Sequence, residues 1–192
     1  MFLIFILALQ ACTHQQLTQK QAETNRQTQR SDPTLIEQWC MTGRSAAKYA
    51  DSGWQAGVHW CQADNHSKLE LSGPMRLGTV LLSYHLGELW IRESADHVSI
   101  THQPQRLLEA RLGFSVPLSA LKFWLMGLAE PGAIDYQQRD SEGQLSLLHQ
   151  HDWVVKYDNY TMVDGYQLPG KIKLTKDAVS LKIVVDKWQL GE

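Results

Sequence analysis

Eight histidines and three cysteines are the side chains of this 192-residue chain best suited to hold a metal, move a proton or attack a carbonyl. Their spacing supports none of these. His149 and His151 lie two apart, but Gln150 between them is expected in a turn, and His97 and His102 do not share one alternating strand face. No H-E-x-x-H or C-x-x-C occurs. There is no G-x-S-x-G elbow to present a serine and no glycine-rich phosphate loop. Asp135, Asp140 and Glu142 fit a solvated loop. The chain is therefore expected to catalyse no reaction, to hold no metal and to need no cofactor. A net charge of -2 and a pI near 6.4 give no basic face for nucleic acid.

The chemistry that the residues do suggest is covalent attachment of lipid. Residues 1–11, MFLIFILALQA, are uncharged and almost wholly apolar. The run is shorter than the roughly 20 residues needed to span a bilayer and fits the apolar part of a secretory signal, although no Lys or Arg precedes it. It ends in Leu9-Gln10-Ala11-Cys12, which resembles the lipobox of bacterial lipoproteins, with Gln10 in place of the usual small residue. That resemblance implies cleavage before Cys12, a diacylglycerol on its thiol and a third acyl chain, such as palmitate, on its new amino group. Thr13 follows, without the Asp that marks inner-membrane retention, so the resemblance implies the outer membrane. Residues 13 to 30 are rich in Gln and Thr and poor in apolar side chains, so they cannot offset their ordering entropy. They read as a tether with a reach of roughly 25 Å.

The elements that follow are mostly strands. The pattern predicts strands at 39–49 and 54–62 around the turn Ala50-Asp51-Ser52-Gly53, then 66–71, 79–84, 88–92 and 97–102. A short helix is expected at 106–112 and a better one at 117–128, with Pro117 in the first turn and Leu118, Leu121, Leu125 and Leu128 on one face. Strands resume at 144–149, 152–160, 166–175 and 178–190. In the last, Val179, Leu181, Ile183 and Val185 face one way and Ser180, Lys182 and Asp186 the other. One wet and one dry face mark an antiparallel sheet. Ten or eleven strands and one good amphipathic helix fit a large sheet curled round short helices, with a closed barrel and a sandwich as rivals.

Several short signals follow one another along the chain: Gly43-Arg44, Trp60, Leu71-Ser72-Gly73-Pro74-Met75 with Leu77-Gly78, Pro117-Leu118, Trp124-Leu125-Met126-Gly127, Trp153, Tyr157, Tyr160, Leu168-Pro169 and Trp188. They span residues 39 to 190, and their order resembles the outer-membrane lipoprotein receptor LolB family. The resemblance implies a mainly β fold: an unclosed antiparallel half-barrel of about 11 strands with a helical lid over an apolar cavity, one domain over 32–192. It implies a monomer, lipid-anchored on the periplasmic side of the outer membrane. That monomer would accept lipoprotein cargo from a soluble periplasmic lipoprotein carrier and insert its acyl chains into the inner leaflet, without an energy source. The membrane-insertion loop would be Pro74, Met75 and Leu77. Met75 stands where the family commonly has Leu, and Arg76 where it has Gly.

Strand alternation suggests Val58, Trp60, Val155, Tyr157, Leu181 and Ile183 as lining the acyl-chain cavity, covered by Leu121 and Leu125. The alternative is that they pack against one another as core. Cys40 and Cys61 lie on consecutive strands, and a turn at Asp51-Ser52 would offset them by about two residues, leaving open a disulfide or two buried thiols. Arg44 is either paired with helix-end carbonyls or simply exposed. A generic lipid-binding or scaffolding lipoprotein is the competing function.

Overall fold

The computed structural model describes residues 32–73 and 78–191. The expected signal segment, Cys12, the tether to residue 31, and Pro74, Met75 and Leu77 of the insertion loop lie outside the described residues.

The described chain forms β1 (Gln38–Tyr49), β2 (Ser52–Ala63), β3 (His66–Ser72), β4 (Thr79–His85), β5 (Glu88–Arg92) and β6 (Val98–Thr101). Two helices follow, α1 (Pro104–Leu112) and α2 (Leu118–Leu125). The second run of strands is β7 (Tyr136–Arg139), β8 (Leu145–Gln150), β9 (Trp153–Val163), β10 (Tyr166–Lys176) and β11 (Val179–Leu190). All eleven form one antiparallel sheet in the order β6-β5-β4-β3-β2-β1-β11-β10-β9-β8-β7. Two meanders are thus joined where the first strand pairs with the last. The outermost strands, β6 and β7, pair on one side only, so the sheet is unclosed. Both helices lie in the single connection that runs from one free edge to the other, which lays them across the sheet's dry face.

Tight turns make this meander. Leu86-Gly87, His151-Asp152 and Asp164-Gly165 have positive φ at both positions, the conformation whose twist matches that of the flanking strands. The first hairpin turns on Ala50-Asp51, one residue earlier than the sequence suggests. That shift puts Cys40 directly opposite Cys61 with no bulge, and the disulfide forms.

A bulge does occur between β1 and β11, where Thr42 faces Lys187 but Gly43 faces Val185. A Cβ on Gly43 would collide with the carbonyl oxygen of Val184, so only glycine lets β11 come this close. The extra residue, Asp186, projects outward and pairs with Arg44 at 2.9 Å. Arg44 is therefore an exposed ion-pair partner and not a lid clasp.

The second helix is shorter than its leucine spacing predicts. Pro117 has extended backbone and serves as the N-cap rather than in the first turn, and Gly127 ends the helix by adopting φ +75°. The face that is buried comprises Ala120, Leu121, Trp124 and Leu125, while Leu118 and Leu128 are half-buried. Strand β7 went unread because its four residues, Tyr-Gln-Gln-Arg, are all exposed at the sheet edge and carry no apolar alternation. Gln150, expected in a turn, ends β8.

Candidate functional site: the half-barrel interior and its lid

The dry face buries two unequal cores. The larger gathers residues of β1, β2 and β8 to β11 around α2, including Trp39, Trp60, Trp124, Trp153 and Trp188. The smaller consists of Leu89 and Ile91 of β5 and Leu108 of α1.

Helix α2 is fixed by a buried polar latch. Gln150, 1% exposed, accepts hydrogen bonds on its side-chain oxygen from Trp124 Nε1 (2.9 Å) and the Glu130 amide (3.0 Å). Its side-chain amide donates to the carbonyls of Glu130 (2.8 Å) and Ala133 (3.0 Å). One glutamine thus satisfies the helix and the chain leaving it, and no aspartate or leucine could do both. A second contact lies beyond the helix. A Cβ on Gly127 would stand 2.7 Å from Tyr160 Oη, and that hydroxyl donates to the Leu145 carbonyl at 2.9 Å. Burial, with Asp140 adding to it and Arg139 opposing, raises the Tyr160 phenol above its ordinary pKa. Pro169, which has no N–H to give, sits where β10 does not pair with β11, and its carbonyl accepts from Trp188 Nε1 at 3.1 Å.

Helix α1 is held more thinly. Leu108 is its one buried residue among those described, and Gln103 caps it without a side-chain hydrogen bond. Beneath and beside it the inner face is apolar but only half-covered: Leu69 and Leu71 of β3, and Val80, Leu82 and Tyr84 of β4. A cavity of about 40 Å³ lies there, lined by Trp60, Leu69, Leu82, Leu89, Leu108 and Leu118 among others. That is roughly a tenth of an ordinary ligand pocket.

All eight residues suggested from alternation are buried in the larger core: Val58 and Trp60, Val155 and Tyr157, Leu181 and Ile183, and Leu121 and Leu125 of α2. Only Trp60 of these borders the small cavity. Two carry polar atoms without a partner among the described residues, Trp60 Nε1 and Tyr157 Oη. Burial, and then the neighbouring Tyr160, hold the Tyr157 phenol well above its ordinary pKa. Gln150 and the half-buried row Leu69, Leu71, Val80 and Leu82 are the parts the sequence reading missed. The alternation of Leu69 and Leu71 with Lys68 and Glu70 is the signal that could have found that row.

The outer face of the same strands carries a depression of about 630 Å³, lined by His59, Lys68, Leu81, Trp90 and Val98 among others. At its margin the ligand atoms of Cys40, His59 and Cys61 lie within 4.8 Å of one another. The two sulfurs are bonded to each other, and the His59 ring nitrogens are engaged by Thr42 Oγ1 at 3.0 Å and the Cys61 sulfur at 3.5 Å.

Comparison with known proteins agrees with this architecture. A family profile described as outer membrane lipoprotein LolB matches residues 37–188. An outer-membrane lipoprotein LolB of Nitrosococcus oceani is 34% identical over 157 residues, 81% of this chain and 78% of that protein. One from Francisella tularensis is 26% identical over 190 residues, 98% of this chain and 92% of that protein. Among solved structures, a domain from Vibrio parahaemolyticus, described as of an outer membrane lipoprotein-sorting protein, superimposes with a TM-score of 0.51 at 9% identity. The match covers 87% of this chain and 90% of that one, and it speaks for the fold alone. On the family match and the Nitrosococcus relative, this chain belongs to the outer membrane lipoprotein LolB family.

Proposed function

We propose that this chain is an outer-membrane lipoprotein receptor. It accepts lipoproteins from a soluble periplasmic carrier and delivers them to the inner leaflet of the outer membrane. It works as a monomer, anchored through Cys12 and facing the periplasm, with residues 12–31 as tether, and it catalyses no reaction. The observation that carries the reading is the uneven lid. Helix α2 is latched by Gln150, whereas α1 rests on Leu108, with the half-buried Leu107 and Leu112 beside it, over a half-covered apolar row.

Acyl chains then enter by displacing α1. Exposing a buried leucine costs about 1.5–3 kcal/mol, and each methylene withdrawn from water returns about 0.8 kcal/mol. Two to four methylenes therefore offset the loss of the Leu108 contact, and a few more offset the half-buried Leu107 and Leu112 that leave with it. The first segment of chain lies along Leu69, Leu71, Val80 and Leu82. Trp60, Val58 and the deeper residues Val155, Tyr157, Leu181, Ile183, Leu121 and Leu125 repack around the remainder. Three chains in water would cost tens of kcal/mol, so cargo needs a continuous apolar path from carrier to receptor to membrane. The chain has no nucleotide motif, so transfer runs down a ladder of affinities, tighter than the carrier and weaker than the bilayer.

Delivery is assigned to Pro74, Met75 and Leu77. The large apolar side chain of Met75 enters the leaflet, and Arg76 meets anionic head groups. Replacing Met75 with Glu tests this. Cargo uptake from the carrier should be normal while appearance of cargo in outer-membrane vesicles fails. Normal delivery by the Glu variant would remove the loop from the mechanism.

A further inference from the structure

The interior of the half-barrel is almost fully hydrogen-bonded where it is polar. Trp124 Nε1 donates to Gln150, Trp188 Nε1 to the Pro169 carbonyl, and Tyr160 Oη to the Leu145 carbonyl. Trp60 Nε1 and Tyr157 Oη are the exceptions among the described residues, although each side chain is about 95% buried. A donor left unpaired in an apolar core is costly, and at position 157 phenylalanine would fill the same space without that cost. We infer that Trp60 Nε1 and Tyr157 Oη are donors for the carbonyl oxygens of the ester and amide linkages that join acyl chains to the cargo's terminal cysteine.

The chemistry of the two groups fits such a ligand. An indole can only donate, and an ester carbonyl can only accept. The raised pKa of Tyr157 keeps its phenol protonated, and so able to donate. A fatty-acid carboxylate would bring an unpaired charge into this core, with no cation within it among the described residues, so an uncharged acyl linkage is the better match. The two donors stand at different levels. Trp60 lies in the row through Met41 and Trp188, beside the cavity under α1. Tyr157 lies in the row through Ile172, Ile183 and Ser45. The two donors would therefore meet linkages at two separate places along the sheet's dry face. This inference rests on the receptor reading and adds to it a preference for the linkage over the hydrocarbon alone.

The test uses the full chain held in amphipol, with 1-aminoanthracene as an apolar reporter. Two competitors displace it: a peptide whose N-terminal cysteine carries on its sulfur a glyceryl group with two palmitoyl esters, and the same peptide with two hexadecyl ethers in place of the esters. The wild type should prefer the ester peptide by roughly two- to tenfold for each donor engaged. Tyr157→Phe and Trp60→Phe should each lessen that preference, and the double variant should abolish it, so that its affinities for the ester and ether peptides become equal. Equal binding of both peptides by the wild type, or an undiminished preference in the double variant, overturns the inference and leaves the receptor reading standing. Failure of the wild type to take up the reporter overturns both.

Discussion

Replacing Gln150 with alanine should be among the most damaging single changes in this protein. The side chain is buried and makes four hydrogen bonds of 2.8–3.0 Å to Trp124, Glu130 and Ala133. At about 1 kcal/mol net for each, the loss is about 4 kcal/mol. Water entering the vacated space restores part of it, so the expected destabilisation is about 3 kcal/mol. For a domain of this size that lowers the melting temperature by about 6–12 °C. Urea unfolding followed by tryptophan fluorescence measures the free energy, and calorimetry the temperature. Gln150→Glu keeps the acceptor for Trp124 and the Glu130 amide but turns an anion toward two carbonyls, so it should cost at least as much. In a Trp124→Phe background the alanine change should cost about 1 kcal/mol less, because one donor is already gone. A Gln150→Ala cost below 1 kcal/mol would refute the latch and with it the view that α2 is the fixed half of the lid.

Three further perturbations follow from the same interior. Gly127→Ala places a Cβ at φ +75° against Tyr160 Oη and should cost about 2–3 kcal/mol, part of it recovered by Tyr160→Phe; an undiminished cost in that background would contradict the packing argument. Reducing the Cys40–Cys61 bridge, which closes a loop of sequence separation 21, should lower stability by about 3 kcal/mol, read as the shift in urea midpoint with and without reductant. Tyr157 and Tyr160 both have pKa values raised by folding, so each binds its proton more tightly in the native state. Their stability is whole below about pH 10 and falls as pH rises beyond it, by about 1.4 kcal/mol per pH unit for each. Unfolding free energy measured above pH 10 should therefore fall less steeply in Tyr157→Phe than in the wild type, and equal slopes would show that the phenol is not held in its neutral form.

The sheet was legible because its inner face alternates. Leu181, Ile183 and Trp60 announce which side is dry, and the turn residues between them set the meander. What alternation could not supply was register to one residue. The first hairpin turns on Ala50-Asp51 and not Asp51-Ser52, and that single step decides that Cys40 and Cys61 meet. Edge strand β7 is stabilised by backbone pairing with β8 and buries no side chain, so nothing in Tyr136–Arg139 could mark it. The leucine spacing over 117–128 located α2 but overstated its length, because Gly127 takes a left-handed conformation that ends the helix against Tyr160. Gln150 was unreadable for a different reason. Its partners come from residues 124 to 133, and no local pattern tells a glutamine in a buried latch from one in a solvated turn.

The most direct test of the receptor reading is a transfer experiment without nucleotide. A periplasmic carrier loaded with a radiolabelled lipoprotein is mixed with this chain, beginning at Thr13 so that the proposed anchor at Cys12 is absent, and the cargo is followed by pull-down of each protein. Movement of most of the label from the carrier to this chain, with no energy source added, is the predicted result. Label that stays on the carrier beside a correctly folded partner would contradict the central claim.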